Sequence, residues 1–267
     1  MTKQSDNIIV STLNKKGVLR LILDDPENKN ALSDLMIDSL VRLIEKSYTD
    51  KDVRVIVLAS TGNVFCSGHN LKELKELNSK NNKEKYFQDL FKKCSSLMKL
   101  IVNSPKPVIA EVNGVATAAG CQLVASCDLA ISSEKAKFAT PGVNIGLFCS
   151  TPMVALSRNV SKKDSMRMLL TGEMIDAKEA RRISLINNFV PEEQLTMSVM
   201  DLANKISEKS QAVLKIGKEA FYKQYELSLD EAYEYASEVM TKNMLIEDAS
   251  EGINSFLDKR NPKWRNK

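Results

Sequence analysis

Short apolar runs alternate with longer amphipathic runs along the first half of the chain. Two apolar runs at 8–12 and 18–23, separated by a polar turn at 14–17, predict a pair of strands. In the segment 33–48, apolar residues recur at helical spacing after Ser33, which predicts an amphipathic helix with Ser33 as its N-cap. This order of elements is typical of an α/β protein.

The β-branched run at 53–59 is bounded by charged and small polar residues and suits a strand buried on both faces of a mostly parallel sheet. Beyond it the pattern predicts further strands and helices, and after residue 150 a mainly helical chain. The predicted helices are 71–78, 84–102 and one opening near 120, and the predicted strands are 108–112 and 129–132. We therefore expect an α/β core over 1–198 and a helical C-terminal region over 199–267.

Composition excludes several classes of protein. The 267 residues are 43% hydrophobic, which is enough to bury a full core and excludes a disordered chain. The net charge is +4, from 38 basic and 34 acidic residues, and the signs are mixed along the chain. This mixture favours a solvated surface over a nucleic-acid-binding face. The most apolar stretch, 115–131, contains Gln122 and Asp128 and is too short to insert across a membrane.

Cysteine and histidine usage bears on metals and on the compartment. The chain has five cysteines and a single histidine, His69, and their spacing matches no metal site. An odd number of cysteines suits a reducing compartment. The polar start of the chain has the features of neither a signal peptide nor a transit peptide. We therefore expect a cytoplasmic protein without a metal.

Two segments, 63–74 and 113–123, place small residues where a strand is followed by a helix. Small side chains allow a ligand to approach backbone N–H groups, and a helix N-terminus adds partial positive charge. Two such turns facing one point would form an oxyanion hole. The glycines of these segments, Gly68, Gly114 and Gly120, are also compatible with a role in tight turns alone.

The chain resembles the crotonase (enoyl-CoA hydratase/isomerase) superfamily over nearly its whole length. The matching strings include DDPENKNALS, GHNLKEL, AAGCQLVASCDLAI, FATPGVNIGLF and EGINSFLDKR. The resemblance implies a spiral core of ββα repeats. It also implies that the C-terminal helices support trimerisation, as a homotrimer or a hexamer built from two trimers.

The resemblance further implies an acyl-CoA ligand, bound noncovalently as substrate or ligand, and no covalently bound cofactor. The first N–H donor to its thioester would be that of His69, just after Gly68, and the second would be that of Ala119. The residues expected to contact coenzyme A are Lys29, Ala31, Gly68, Leu71, Lys72, Phe256 and Lys259, the last two often from a neighbouring subunit.

The catalytic positions depart from the family pattern. Where a hydratase has two glutamates this chain has Gln122 and Gly142, and where dienoyl isomerases have an aspartate it has Ser150. Glutamine orients water but exchanges no proton near neutral pH, and glycine has no side chain. Standard hydration by paired carboxylates is therefore doubtful, and restoring glutamate at Gln122 and Gly142 together is expected to raise hydration.

For several side chains near the expected site, the sequence allows two interpretations of their role. The ordinary pKa of His69 lies near neutrality, so its imidazole is a candidate for proton transfer, or else it forms a wall of the pocket. Cys149 is either a nucleophile or, with no second histidine to activate it, a buried structural thiol. For Asp128 a structural role is favoured over a catalytic one.

Two functions follow from these observations. One is an enoyl-CoA hydratase/isomerase-like enzyme of fatty-acid or acyl-CoA metabolism that stabilises a thioester enolate at His69 and Ala119, with Gln122 and Ser150 beside them. Its reaction could be an atypical hydration, an isomerisation, a decarboxylation or a thioester hydrolysis. The other is a non-catalytic acyl-CoA-binding or regulatory protein. No G-x-G-x-x-G motif follows a strand, which argues against hydride transfer.

Overall fold

A computed structural model describes residues 2–6, 8–78 and 81–266. Its largest element is a seven-stranded sheet in the order β1-β2-β3-β4-β6-β8-β11. The strands at the β1 end pair antiparallel, and from β3 to β11 every pairing is parallel. Its strands are β1 Thr2–Asp6, β2 Ile9–Leu13, β3 Val18–Leu23, β4 Val55–Ser60, β6 Val108–Val112, β8 Leu129–Ser133 and β11 Asn188–Val190.

A second, four-stranded sheet has the order β10-β9-β7-β5. The pairings β5–β7 and β7–β9 are parallel, whereas β10 is antiparallel to β9. Its strands are β5 Val64–Cys66, β7 Val115–Thr117, β9 Lys137–Ala139 and β10 Ile175–Asp176. From β4 to β9 the strands of the two sheets alternate along the chain, so β5 and β7 are each followed by a return to the large sheet through one or more helices. The next strand after β9 is β10 of the same small sheet, and the chain returns to the large sheet at β11.

Eleven α-helices surround the sheets in the described part of the chain. They are α1 Asp34–Thr49, α2 Leu71–Asn78, α3 Lys83–Val102, α4 Ala119–Ser126, α5 Ser150–Asn159, α6 Lys162–Thr171, α7 Ala177–Arg182, α8 Leu195–Ser207, α9 Gln211–Gln224, α10 Leu229–Met244 and α11 Glu247–Leu257. No helix of these residues is both long and apolar enough to cross a membrane.

The helix predicted after Ser33 is confirmed, and the Ser33 side chain accepts a hydrogen bond from the Met36 N–H over 3.2 Å. Such a cap satisfies one of the N–H groups that the first turn leaves unpaired. The predicted strands of the large sheet are also confirmed, with ends that differ by one or two residues. The predicted helices at 71–78 and 84–102 correspond to α2 and α3.

Two hydrophobic clusters lie on opposite faces of the large sheet. The larger one joins that sheet to α1, α3, α4 and the small sheet, and it includes the fully buried Phe65 and Phe138. The smaller one packs α8 against the other face through Leu195, Val199 and Ala203. Because β4 is buried on both faces, its sequence is a nearly continuous run of apolar residues.

The expected boundary at residue 198 falls inside α8, which packs on the large sheet. The C-terminal layer of the structure therefore begins after Ser207, with α9. Helices α9 and α10 contain no buried residue within one chain, and α11 contains two, Asp248 and Ser255. Exposed large apolar side chains on α10 include Leu229, Tyr233 and Met240.

Candidate active site

Three segments meet at one edge of the small sheet because β5, β7 and β9 are parallel neighbours. Gly68 and His69 follow β5, Ala118 and Ala119 follow β7, and Thr140 follows β9. The carboxyl ends of parallel strands lie at the same edge of a sheet, which is where α/β proteins bind ligands. The Ala118 N–H donates to the Ala139 carbonyl over 2.9 Å and fixes the second segment against the third.

The two turns predicted to hold the thioester are in direct contact. Gly68 has φ of +92°, and a β-carbon on it would lie 3.0 Å from Ala118 Cβ and 3.2 Å from Ala119 N. A β-carbon on Gly120 would lie 2.0 Å from the Cys66 carbonyl oxygen. Glycine is therefore required at both positions for the turns to approach one another.

The N–H groups of His69 and Ala119 have no hydrogen-bond acceptor among the described residues. Ala119 is the first residue of α4, where a helix leaves its N–H groups unpaired and carries partial positive charge. His69 forms an isolated parallel bridge with Leu32, in which the Leu32 N–H donates to the Gly68 carbonyl. The expected pair of donors is thus brought together at the sheet edge.

The His69 side chain lies in an apolar environment. Its ring makes an edge contact with Phe91, with 5.5 Å between ring centroids. Both ring nitrogens are buried and have no partner among the described residues. Burial lowers the pKa of the imidazole from its ordinary value, while the Leu32 backbone and the Asp34 carboxylate raise it by less. The imidazole is therefore neutral at pH 7.

Gln122 lies one turn into α4 and is 4% exposed. Its Oε1 is buried without a partner in the described structure. The side chain borders a cavity of about 950 Å³ between α3, α4, α5 and α9. The apolar and aromatic residues of this cavity are Met98, Val102, Pro105, Ala125, Val154, Ala155, Phe221, Tyr222 and Tyr225. Its charged residues are the cations Lys99, Arg158, Lys215 and Lys223 and the carboxylates Asp128, Glu219 and Glu226.

Gly142 stands at the position of the second hydratase glutamate, and the structure leaves no space there for a side chain. A β-carbon on Gly142 would lie 2.7 Å from the Leu147 carbonyl oxygen and 2.9 Å from Cys149 Sγ. The thiol of Cys149 is buried, and burial raises its pKa above the ordinary value, with partial compensation by the Gly142 N–H. A neutral thiol is a poor nucleophile, which supports a structural role for Cys149.

The side chains of Ser150 and Asp128 form hydrogen bonds with residues outside the three segments. Ser150 is exposed at the start of α5, and its hydroxyl donates to the Phe148 carbonyl over 3.3 Å. Asp128 accepts hydrogen bonds from Lys218 Nζ at 2.7 Å and from the Tyr222 hydroxyl at 2.9 Å. It also accepts from the Val108 N–H, so its carboxylate fastens α9 to the sheet.

The expected coenzyme A contacts fall into two groups. Ala31, buried beside the Leu32–His69 bridge, and Leu71 and Lys72, at the start of α2, adjoin the first turn. Lys29 is exposed on the preceding loop, where it has φ of +57°. Phe256 and Lys259 lie on and after α11, respectively, and both are exposed.

Sequence reasoning missed Asn30 and Thr140. Asn30 is fully buried, has φ of +50° and donates to the carbonyls of Thr61 and Val64, so it holds the loop of Lys29 against β5. The sequence feature that could have indicated this role is an asparagine in a loop, because asparagine is among the residues that best tolerate a positive φ after glycine. Thr140 is 1% exposed, and its hydroxyl has no partner among the described residues. No sequence pattern marked it.

This fold and site define a class of protein. The family described as enoyl-CoA hydratase/isomerase matches residues 14–267, and the chain belongs to this family. The predicted crotonase-like fold is thereby confirmed. The chain superimposes on the crystal structure of an enoyl-CoA hydratase from Mycobacterium smegmatis with a TM-score of 0.93 and 42% identity, over 97% of this chain and 99% of that one.

Within the family the chain is similar to enoyl-CoA hydratase domain-containing protein 3. It is 48% identical to the mitochondrial protein of that name from Mus musculus over 261 residues, which are 98% of this chain and 86% of that protein. The crystal structure of the human protein of that name matches with a TM-score of 0.92 and 45% identity, over 97% of this chain and 100% of that one.

The expectation of a cytoplasmic protein is contradicted by these relatives. The similar proteins from Mus musculus, Xenopus laevis and Homo sapiens are all named as mitochondrial. Composition and charge describe a folded domain, whereas localisation depends on an address that a receptor recognises.

Proposed function

We propose that this protein binds an acyl-CoA thioester and holds its carbonyl oxygen between the N–H groups of His69 and Ala119. The observation that carries the proposal is the contact of the two turns, with 3.2 Å between a β-carbon position on Gly68 and Ala119 N. Two preorganised donors in a water-poor site stabilise the negative charge of an enolate by several kcal/mol, about 3–4 per donor.

The chemistry after enolate formation is limited by the groups at the site. Residues 68–69, 118–119 and 140 include no aspartate or glutamate, and the buried side chains on and beside them that have no partner in the described structure are His69, Gln122 and Thr140. We propose an enzyme that uses His69 for proton transfer and Gln122 to orient a polar group. A non-catalytic acyl-CoA-binding protein is the second candidate, favoured by the closed space at Gly142.

The remaining features of the proposal concern the nucleotide and the assembly. Lys29 and Lys72 are exposed beside the first turn, where cations would meet phosphates of coenzyme A. The exposed apolar side chains of α10 and α11 support a homotrimer or hexamer, in which Phe256 and Lys259 reach a neighbouring subunit's ligand. We propose mitochondria as the location.

Thermal unfolding with acetoacetyl-CoA tests thioester binding. A ligand that binds only the native state raises the Tm by mass action. Gly68→Ala should abolish the shift, because the new methyl group would sit between the two donors, whereas Gly217→Ala, with open space around it on α9, should keep it. Absence of a saturable shift for the parent protein at millimolar ligand would contradict the proposal.

Turnover of a panel of acyl-CoAs separates the enzyme from the binding protein. Hydration of crotonyl-CoA is expected to be at least about 10²-fold slower than in an enzyme with both glutamates, since one general acid/base group supplies at least that factor. Hydration at ordinary rates would show that another group replaces the carboxylates. Saturable binding without any turnover across the panel would favour the second candidate.

A further inference from the structure

Unpaired buried side-chain atoms are concentrated at one place in the described structure. They are Nδ1 and Nε2 of His69, Oε1 of Gln122 and Oγ1 of Thr140. These three residues follow the carboxyl ends of β5, β7 and β9, respectively. The large majority of buried side-chain polar atoms in native proteins have a hydrogen-bond partner, so such groups call for a partner from outside the chain, either water or a ligand.

Backbone hydrogen bonds connect the segment of Thr140 to the first turn of α4, which carries Gln122. In the parallel pairing of β7 with β9, Thr117 is opposite Ala139, the residue before Thr140. The Ala118 N–H donates to the Ala139 carbonyl over 2.9 Å, and the Gln122 N–H donates to the Ala118 carbonyl over 3.0 Å. Two hydrogen bonds through Ala118 therefore connect the two residues, next to the oxyanion donor at Ala119.

The two side chains are neutral and have complementary hydrogen-bonding capacities. The Thr140 hydroxyl both donates and accepts a hydrogen bond, and the Gln122 Oε1 accepts one. Thr140 is 1% exposed and Gln122 is 4% exposed, so bulk water does not satisfy either group. A ligand group that donates one hydrogen bond and accepts another matches this pair, and a hydroxyl group does both.

We propose that Thr140 is a further ligand-contacting residue of the site and that its hydroxyl, with Gln122 Oε1, binds a hydroxyl group beside the thioester. This inference rests on the proposed thioester site. The hydroxyl group has two sources, a water molecule or the 3-hydroxyl of a bound hydroxyacyl-CoA. Either hydroxyl group would lie where the paired carboxylates of a hydratase act, and neither of them carries a charge.

The test uses Thr140→Val, which removes the hydroxyl at nearly constant shape, and Thr140→Ser, which keeps it. Binding of butyryl-CoA and 3-hydroxybutyryl-CoA is measured by calorimetry for the parent and both variants. If the acyl hydroxyl is the ligand, the parent prefers 3-hydroxybutyryl-CoA, and Thr140→Val weakens that ligand alone by about three- to tenfold, the effect of one neutral hydrogen bond. Thr140→Ser should retain the preference.

A second measurement identifies water as the source. In that case the parent binds both thioesters equally, and Thr140→Val slows crotonyl-CoA hydration without changing the Kd for crotonyl-CoA, while Thr140→Ser restores the rate. The inference is overturned if neither effect is found, or if Thr140→Val weakens every thioester equally, which indicates a role in pocket shape only.

The unliganded variants provide the control for structure. Because the Thr140 hydroxyl has no partner within the described chain, Thr140→Val should leave the Tm unchanged or raise it. A fall in Tm that Thr140→Ser does not share would show that the hydroxyl bonds to the protein, and would overturn the inference. If the parent protein binds neither butyryl-CoA nor 3-hydroxybutyryl-CoA, the result would instead contradict the proposed thioester site itself.

Discussion

The Gly142 N–H donates a hydrogen bond to Cys149 Sγ over 3.3 Å, and a β-carbon on Gly142 would lie 2.9 Å from the same sulfur. The backbone carbonyl of Leu147 would be closer still, at 2.7 Å. A backbone atom cannot move aside as a flexible side-chain end can. The loop 142–149 thus fills the space that a glutamate side chain at Gly142 would need.

Restoring glutamate at Gly142 is therefore expected to fail for steric reasons. Gly142→Ala should lower the free energy of unfolding by about 1–3 kcal/mol, the usual cost of overpacking, and Gly142→Glu should lower it further. Denaturant unfolding measures this. The control is Gly217→Ala, an exposed helical position with open space, which should be neutral or stabilising by up to about 1 kcal/mol. Equal stability of Gly142→Ala and the parent would contradict the steric argument.

Gln122→Glu tests whether a carboxylate restores hydration and avoids the steric clash that a side chain at Gly142 would cause. The side chain already borders the cavity and its Oε1 is unpaired. A carboxylate there should raise crotonyl-CoA hydration, although one carboxylate without its partner should remain well below a two-glutamate enzyme. Steady-state hydration rates at pH 7 measure the change. No increase, in a variant with the parent's Tm and thioester affinity, would show that the position does not act on the reacting carbon.

Backbone strain at Ala118 predicts a stabilising substitution. Ala118 has φ of 50° and ψ of −117°, a conformation that favours glycine. Such strain costs about 1–3 kcal/mol, and the greater freedom of glycine in the unfolded chain cancels only part of the relief. Ala118→Gly should therefore raise the Tm. Ala119→Gly, at the first position of α4, should lower it. A decrease for both variants would mean that the Ala118 methyl group contributes more packing than strain.

The lowered pKa of His69 predicts a pH dependence of stability. The unfolded chain takes up a proton near the ordinary pKa of about 6.5, whereas the buried imidazole takes it up only at lower pH. Stability from the neutral imidazole is therefore complete above about pH 6.5 and is lost as the pH falls toward the folded pKa. Urea unfolding at several pH values should show a steeper loss for the parent than for His69→Gln.

His69 is the only histidine, so the difference between the parent and His69→Gln isolates its titration from that of the carboxylates. Parallel curves would indicate that the imidazole is solvated. In the same variant series, His69→Ala keeps the backbone N–H and should retain thioester binding. If turnover occurs and the imidazole transfers a proton, His69→Ala should lower it by about 10² to 10⁴.

The attachment of α9 depends on the Asp128–Lys218 pair. Lys218 Nζ is largely buried and also donates to the carbonyls of Ile101 and Lys106. Asp128→Ala leaves this cation without its carboxylate, so it should lower the free energy of unfolding by about 3–5 kcal/mol. Tyr222→Phe removes one hydrogen bond and should cost about 1 kcal/mol. Chemical unfolding of both variants checks the order, and a reversed order would refute this account of the anchor.

The sequence predicted most of the large sheet because its strands are long enough to show a pattern. The β-branched run at 53–59 and the amphipathic helix after Ser33 are local signals, and both are confirmed, the first as β4 Val55–Ser60. The strings around Gly68 and Ala119 identified the family and predicted the positions of the two donors. These conclusions needed only residue type and order along the chain.

The small sheet was not predicted, because β5, β7 and β9 have three residues each, too few to show an alternation. Only the tertiary structure shows that these strands are parallel neighbours, which places His69, Ala119 and Thr140 at one edge. It also decides that Asp128 anchors α9, that Gly142 has no room for a side chain, and that the Thr140 hydroxyl is buried without a partner. Each of these properties depends on atoms distant in sequence, and residue order alone does not determine which distant atoms meet.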